Sequence, residues 1–569
     1  MTFVKKSPKG RLKEQEKWER IFAERMTAWD RRGAQEAIKK LEAIPEARES
    51  FFEAVLLYAN HYEDVEMGSL WLDIWKREFP ESRRHTELLM GYLLIAGQYQ
   101  RLIEEGEAYI ASPHFQDGDK PQIFHYMAKA WRSLGDHEQG TAYALFAYAS
   151  TDNVVYKRTL FSNYLFGRHY FRWQDHPELP PASKYSKLYA DVVPYTHRRG
   201  KRRRDKIRVG YISPDLRSHI VMRFAEVLFR DYDRASFEVY AYMVKTEDET
   251  SRLIEAQVTR WRALAGRSDA EMARIIREDD LDILVDLAGH STGNALGVLA
   301  YRPAPVQISG IGYFDSTGLD AVDYFLSDTY VSGQPSGIGK DTDFTEKMLI
   351  LSGSHLCYTP WEDAAKVPEY FLPPVRRKGY ITFGCFNNWA KVTDEMLTVW
   401  KQILDRMPGS HLFLKGKRFD TPEGCLEAQE RLTAVGFDPA RLDYQGFTDG
   451  VYSAYGEVDV ALDTSPYPGG GTTFDALYMG VPLVVYAGDK HGERFGRSIM
   501  MNLGLSELIA ADDADYVEKT VALASDEELL TILHKNLRQM MMKTPLLDGK
   551  AYMRDLEAAY RLVLRCEED

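Results

Sequence analysis

One change of hydrophobic period, near residue 205, limits what this 569-residue chain can fold into more than any other feature. Before it, apolar residues recur at i, i+3, i+4 and i+7, the spacing of a helix with one buried face. The segments ESFFEAVLLYANHY, MGSLWLDIWKREFP, HTELLMGYLLIAGQYQRLIEEGEAYI and IFHYMAKAWRSLGDHEQGTAYALFAYAS all read this way. Turn-like glycines recur at Gly33, Gly68, Gly97 and Gly135, spaced 35, 29 and 38 residues apart. That spacing suits helical-hairpin repeats of the tetratricopeptide kind, whose period is about 34. A plain helical bundle satisfies it too.

After the change, short strand-like runs alternate with amphipathic helical ones: IRVGYISPD, FEVYAYMV, DILVDLAGH, APVQISGIGY and VDYFLSD, then GYITFGCFN, SHLFLKGK, RLDYQGF, VDVALDT and PLVVYAG. Such alternation predicts parallel, doubly wound sheets. The chain is long enough for two, dividing near PEYFLPPVRRKG at 368–379. The expected division is a helical, tetratricopeptide-like domain over 1–170, a linker over 171–206, and Rossmann-like α/β domains over 207–372 and 373–569, the last ending in closing helices. Open α/β sheets bind ligands beyond the carboxyl ends of their strands, so two facing units would make a cleft.

Composition narrows the function classes. A hydrophobic content of 44% supplies real cores, and a formal net charge of −13 argues against a general nucleic-acid binder. The one basic run, HRRGKRRRDKIR from His197 to Arg208, reads as a solvated linker. Four scattered cysteines without CxxC spacing fit a reducing compartment. The start MTFVKKSPKG has no apolar core behind its basic residues, and no apolar run reaches the roughly 20 residues that span a bilayer. The expected location is the cytoplasm.

The chemistry concentrates in DTSPYPGGGTTFDALYMG, residues 463–480. A short strand, a glycine-rich loop and a helix beginning near Thr472 bring backbone N–H groups and a positive helix end to one point. Gly470, Gly471, Thr472 and Thr473 are the candidate anion contacts. The stretch lacks both the Walker GK[ST] and the dinucleotide GxGxxG, and a threonine-capped strand-to-helix loop also explains it. In FGCFNNWAKVTDE, a strand delivers Asn387, Asn388 and Lys391 to a loop where a lysine can neutralise a diphosphate. In the other α/β unit, SPDLRSHIVMRF places His219 and Arg223 after its first strand, and DLAGHSTGN places His290 after another. No metal is expected. The triplets Asp117–Asp119, Asp280–Asp282 and Asp513–Asp515 sit at turns or helix starts, where capping explains them.

Together, RPAPVQ, GY…STG…VDY, FNN..K and DTSPYPGGGTTFDALYMGVPLVV…GDKHGERFGRSI resemble the O-GlcNAc transferase and SPINDLY-like family of protein glycosyltransferases, over about residues 207–560. The resemblance implies helical repeats joined to a GT-B core of two Rossmann-like domains, the second holding a nucleotide sugar. It implies inverting, metal-independent transfer, without a cofactor, from a UDP-sugar, usually UDP-GlcNAc, to Ser or Thr of a polypeptide that the helices recruit. By the same resemblance Lys391 contacts the donor diphosphate, Asn388 is a neighbouring donor contact, Thr472 binds phosphate and Asp475 holds the ribose. His219 stands at the sugar and acceptor end; His491 and Arg494 fit the HxxR segment on the donor side. Arg223 and His290 are sugar-side or acceptor-side candidates. The chain departs from the family at Val451, where relatives carry a histidine, and at PGGGTTF, where many have more threonine. Three alternatives stay open: an asparagine N-glycosyltransferase using UDP-glucose, a nucleotide-sugar epimerase or small-molecule glycosyltransferase, and a non-catalytic helical scaffold.

Overall fold

The computed structural model describes residues 8–27, 30–62, 64–79, 83–197, 205–447 and 451–568. It comprises two compact units, divided after Gly167. Most of the basic run at 197–208 lies outside the described residues.

The first unit is helical. Helices Arg31–Glu42, Arg48–Tyr62, Val65–Glu78, Arg83–Ile95, Tyr99–Ile110, Lys120–Leu134, His137–Ala149 and Val154–Gly167 pack against their neighbours in sequence. Phe52, Leu56, Tyr58, Trp75, Leu93 and Met127 fill its core. Gly97 and Gly135 hold left-handed φ angles of 71° and 98° and end helices, as a residue without Cβ can. Gly33 and Gly68 instead lie inside the first turns of their helices, whose starts are set by capping Asp30 and Asp64. Those two glycines serve close approach. A Cβ on Gly68 would lie 2.4 Å from the Tyr92 ring.

The second unit holds two sheets. The first comprises β1 (Ile207–Ser213), β2 (Phe237–Met243), β3 (Arg260–Ala263), β4 (Ile283–Asp286), β5 (Val306–Ser309), β6 (Tyr324–Asp328), β7 (Gly337–Gly339) and β8 (Lys347–Leu351). Their spatial order is β3-β2-β1-β4-β5-β6-β8-β7, parallel except for β7 against β8. The second comprises β9 (Thr382–Cys385), β10 (His411–Lys415), β11 (Leu442–Gln445), β12 (Val460–Leu462), β13 (Leu483–Tyr486) and β14 (Ile509–Ala510), in the order β11-β10-β9-β12-β13-β14 and all parallel. Central strands such as ILVD and LVVY are buried on both faces, which is why they read as unbroken apolar runs. Among the parallel strands of each sheet the order reverses once, between β1 and β4 and between β9 and β12. A crevice opens beyond the strand ends at such a reversal.

The sheets interlock through helices. The last helix, Gly549–Glu568, sends Tyr552, Leu556, Tyr560 and Val563 into the first sheet's core, with the Tyr560 hydroxyl 3.3 Å from that of Tyr211. In return Phe224, on the helix Met222–Arg230 that follows β1, is buried in the core of the second sheet.

Candidate functional site

The glycine loop leaves β12 at the second sheet's reversal. Asp463, the first loop residue, is buried, and its Oδ1 accepts from the N–H groups of Thr464 (2.9 Å) and Gly469 (2.7 Å). These bonds fold SPYPG into a closed turn around one carboxylate, with Ser465–Pro466 cis. The helix begins at Gly471, one residue before the expected start, and runs to Tyr478. Its N-cap, Gly470, supplies no side-chain cap, so the cradle is made of backbone and of the two threonines that follow. The Thr472 hydroxyl donates to Asn387 Oδ1. A Cβ on Gly469 would lie 2.5 Å from Thr473 Oγ1, 2.7 Å from Thr472 Oγ1 and 3.1 Å from Asn387 Oδ1. Three polar oxygens thus converge where only glycine fits.

Lys391 arrives from the neighbouring strand, β9. Asn388 accepts from the Ala390 N–H (3.1 Å) and caps the single turn Trp389–Lys391. That turn aims Lys391 Nζ at the Pro468 carbonyl (2.9 Å) and over the Tyr467 ring, 3.6 Å from its centroid. Lys391 keeps some exposed surface, yet protein atoms crowd its ammonium. Burial pushes its pKa down to about 8, and the Asp463 charge opposes that fall. Burial pushes Asp463 up to about 6, opposed by the Gly469 and Thr464 N–H groups. Asp463 Oδ2 is buried without a hydrogen-bond partner among the described residues. Burial thus brings the two pKa values toward each other, and both groups are tied to the loop that forms the cradle.

The first sheet presents His219 and Ile220 to this loop. A Cβ on Gly471 would meet Ile220 Cδ1 at 2.7 Å, so the β1 loop touches the helix that opens the cradle. His219 Nδ1 accepts from the Val221 N–H (3.3 Å) and lies 3.7 Å from Asp215 Oδ2. Burial lowers its pKa, and Asp215 partly offsets the change. With Nδ1 accepting, the neutral ring carries its proton on Nε2, an assignment made from these partners.

The other expected residues divide differently. His290 follows β4 but is buried, donating from Nε2 to the Thr317 carbonyl (2.9 Å) with its ring edge-on to Tyr185 and Tyr313. Burial takes its pKa to about 3, so it is a neutral brace at physiological pH. His491 is also enclosed: Nδ1 donates to the Phe314 carbonyl (3.1 Å), Nε2 accepts from the Ser327 hydroxyl (2.9 Å), and its pKa falls to about 3 by burial. Arg494 donates to the carbonyls of Gly488 (3.2 Å), Val331 (3.1 Å) and Asp489. Arg223 is buried against Asp475, Tyr358 and Tyr452, so its guanidinium is spent inside the protein. Val451 opens the short helix Val451–Ala454, packed against the second core.

Two contributors, and one strained backbone position, went unread in the sequence. Asp463 and Tyr467 lay inside the quoted loop, where an Asp ahead of Ser-Pro and glycine was the available signal of side-chain-to-backbone bonds. Ile311, beyond β5, holds φ 71°, a left-handed conformation costly for a β-branched residue, and nothing local announces it. Among the described residues no group of three or more His, Cys, Asp or Glu is placed to hold a metal ion. Of the acidic triplets, Asp119 accepts from the Gln116 N–H, Asp282 from the Arg208 N–H and Asp515 from the Ala511 N–H.

Residues 184–357 and 368–556 match the sequence model of Glycosyl transferase family 41. A probable UDP-N-acetylglucosamine–peptide N-acetylglucosaminyltransferase SPINDLY of Petunia hybrida is 37% identical over 375 residues, 63% of this chain and 39% of the relative. The SPINDLY protein of Arabidopsis thaliana, named in the same way, is 38% identical over 363 residues, 62% of this chain and 39% of its own length. The chain thus spans about two-fifths of these relatives. A solved structure of a Thermobaculum terrenum O-GlcNAc transferase mutant superposes with a TM-score of 0.79 at 26% identity, covering 91% of this chain and 97% of that one.

Proposed function

The chain belongs to Glycosyl transferase family 41, and from that premise we propose that it moves a sugar from a nucleoside diphosphate to a hydroxyl of a polypeptide, with inversion and without a metal. UDP-GlcNAc is the donor, and a peptide the acceptor, that the names of its relatives favour; within that peptide Ser or Thr takes the sugar. The observation that carries this reading is the meeting of the glycine loop with Lys391 on one side and the His219–Ile220 loop on the other, where both sheets reverse their strand order.

The chemistry follows from charge. When the bond from the anomeric carbon to the β-phosphate oxygen breaks, negative charge builds on the diphosphate. Fixed donors in a water-poor seat stabilise it without reorganising. Lys391 supplies the cation; Thr472, Thr473 and the N–H groups at the helix start supply the dipoles. The acceptor oxygen forms the new bond from the opposite face of the sugar, giving inversion. His219, with Nδ1 already engaged, offers an Nε2–H donor that orients the acceptor or a sugar oxygen, and a donor phosphate oxygen takes the hydroxyl proton. The helices of the first unit recruit the polypeptide. A cytoplasmic setting fits a chain whose described residues include no helix long and apolar enough to cross a membrane.

Incubation with a panel of UDP- and GDP-sugars and an extract of the source cells, read by intact-mass and fragmentation analysis, tests the reading. One added hexosamine on Ser or Thr is expected. A hexose on Asn would move the enzyme to the asparagine-modifying alternative. Normal nucleotide binding with no mass added to any protein would sink protein transfer altogether.

A further inference from the structure

We propose that Arg223 and Asp475 are positioning residues whose buried ion pair locks the His219–Ile220 loop of the first sheet against the glycine loop of the second. The inference rests on the reading above of that junction as the transfer site, and it adds a role that no motif in the sequence suggests. Arg223 follows His219 by four residues and sits in the first turn of Met222–Arg230; Asp475 follows Thr472 by three on Gly471–Tyr478. Arg223 Nη1 donates to Asp475 Oδ2 at 2.7 Å, and Nη2 touches Asp475 Oδ1 and the hydroxyls of Tyr358 and Tyr452. Tyr358 also donates to Asp475 Oδ1. The two charged side chains are 3% and 8% exposed.

The surroundings make this a junction rather than a local brace. Phe224 meets Phe474 with centroids 5.2 Å apart, and Phe474 stacks on Tyr358 at 5.1 Å and 9°. The Thr359 N–H donates to the Arg223 carbonyl (2.6 Å), and the Trp361 N–H to the Tyr452 hydroxyl (3.1 Å). The strap joining the two sheets thus closes over the pair. Neither charge can be left alone in so dry a place, so the two helix starts hold one relative position or the core opens. His219 and Ile220 ride on one of these helix starts, and Gly470 and Thr472 on the other. Because a shift of about 1 Å between reacting groups costs on the order of 100-fold in rate, the pair acts on the chemistry through the two loops that it holds in place.

The test uses full-length R223M, R223K, D475N and R223M/D475N. Three quantities are read: kcat per folded molecule, UDP affinity by calorimetry, and the spin-label distance between exposed Glu255→Cys and Glu423→Cys in a Cys425→Ser/Cys566→Ser background. R223M is expected to lower kcat about 100-fold, to leave UDP affinity within about threefold and to broaden the distance distribution. R223K should recover part of the rate. The double variant should be no slower than R223M, because the pair works as a unit, whereas a separate ribose contact by Asp475 would make the losses multiply. An unbroadened distance in R223M with kcat within about threefold of the parent would overturn the proposal, as would multiplying losses. Should R223M fail to fold, Tyr452→Phe removes one hydroxyl from the cluster and should still slow kcat about fivefold, and an unchanged kcat there counts against the lock. If the parent transfers no sugar at all, the functional reading fails by itself, and the distance measurement on R223M still decides the positioning role.

Discussion

At the strand-order reversal of the first sheet the loops after β1 and β4 carry His219 and His290, whereas at the matching reversal of the second the loops after β9 and β12 carry Lys391 and the glycine loop. The topology of the two crevices is the same and the furnishing opposite. The second crevice gathers groups that suit an anion: glycines that admit backbone N–H groups, threonine hydroxyls, and a lysine whose pKa burial lowers to about 8. The first is built to hold shape, with His290 neutral and buried among tyrosines and the His219–Ile220 loop meeting the seam through Ile220. Function is therefore placed by the loops, and one doubly wound scaffold supplies both a charged seat and a steric wall.

That contrast can be broken at several points. Lys391→Ala should cost the most, about 1,000-fold in transfer rate, since one preorganised charge at the developing diphosphate is removed. Intact-mass time courses measure it, and an unchanged rate would remove Lys391 from the mechanism. Gly469→Ala comes next, with about a 100-fold loss, because the new methyl displaces the threonine hydroxyls that converge there. UDP calorimetry should show the same loss in affinity if the cradle is the diphosphate seat.

A smaller effect follows from pH. The free Lys391 has its pKa lowered to about 8, and a bound diphosphate favours the ammonium. Donor binding should then take up a proton and weaken as pH rises through about 8, by roughly tenfold per unit until the bound-state pKa is reached. Calorimetry in buffers of different ionisation enthalpy reads that proton directly, and none taken up near pH 8 would contradict it. The smallest change in rate is expected for His290→Ala: kcat per folded molecule within about threefold, with stability lower by about 2–4 kcal/mol in denaturant titration, because a packed and hydrogen-bonded ring is lost. A large fall in kcat there would erase the distinction between the two crevices.

Much of this was legible in the residues, and the unread part has a common cause. The strand β12, the glycine turn and the helix after it were visible in VDVALDTSPYPGGGTTFDALYMG, because strand, turn and helix signals are local. Lys391 was visible as a lysine just past an apolar strand. Its lowered pKa and its stacking on Tyr467 were not, since both depend on a loop 77 residues away. Arg223 and His290 stood in the sequence as groups facing a ligand. Both are instead buried, Arg223 by a carboxylate 252 residues further on and His290 by a carbonyl 27 residues on. A basic residue near a strand end shows no local mark of which of these fates it meets.

Periodicity and turn chemistry, which act over a few residues, determined by themselves that helices come first, that two parallel α/β units follow, and that a glycine-rich turn joins a strand to a helix at 463–480. The order of the strands decided the rest. Only when β1 lies beside β4 and β9 beside β12 do the His219–Ile220 loop, Lys391 and the glycine loop come out at strand-order reversals. Only the docking of Met222–Arg230 on Gly471–Tyr478 turns Arg223 and Asp475 into partners. Burial, desolvation and charge pairing act through space, and the distances they depend on exist only once the chain has folded.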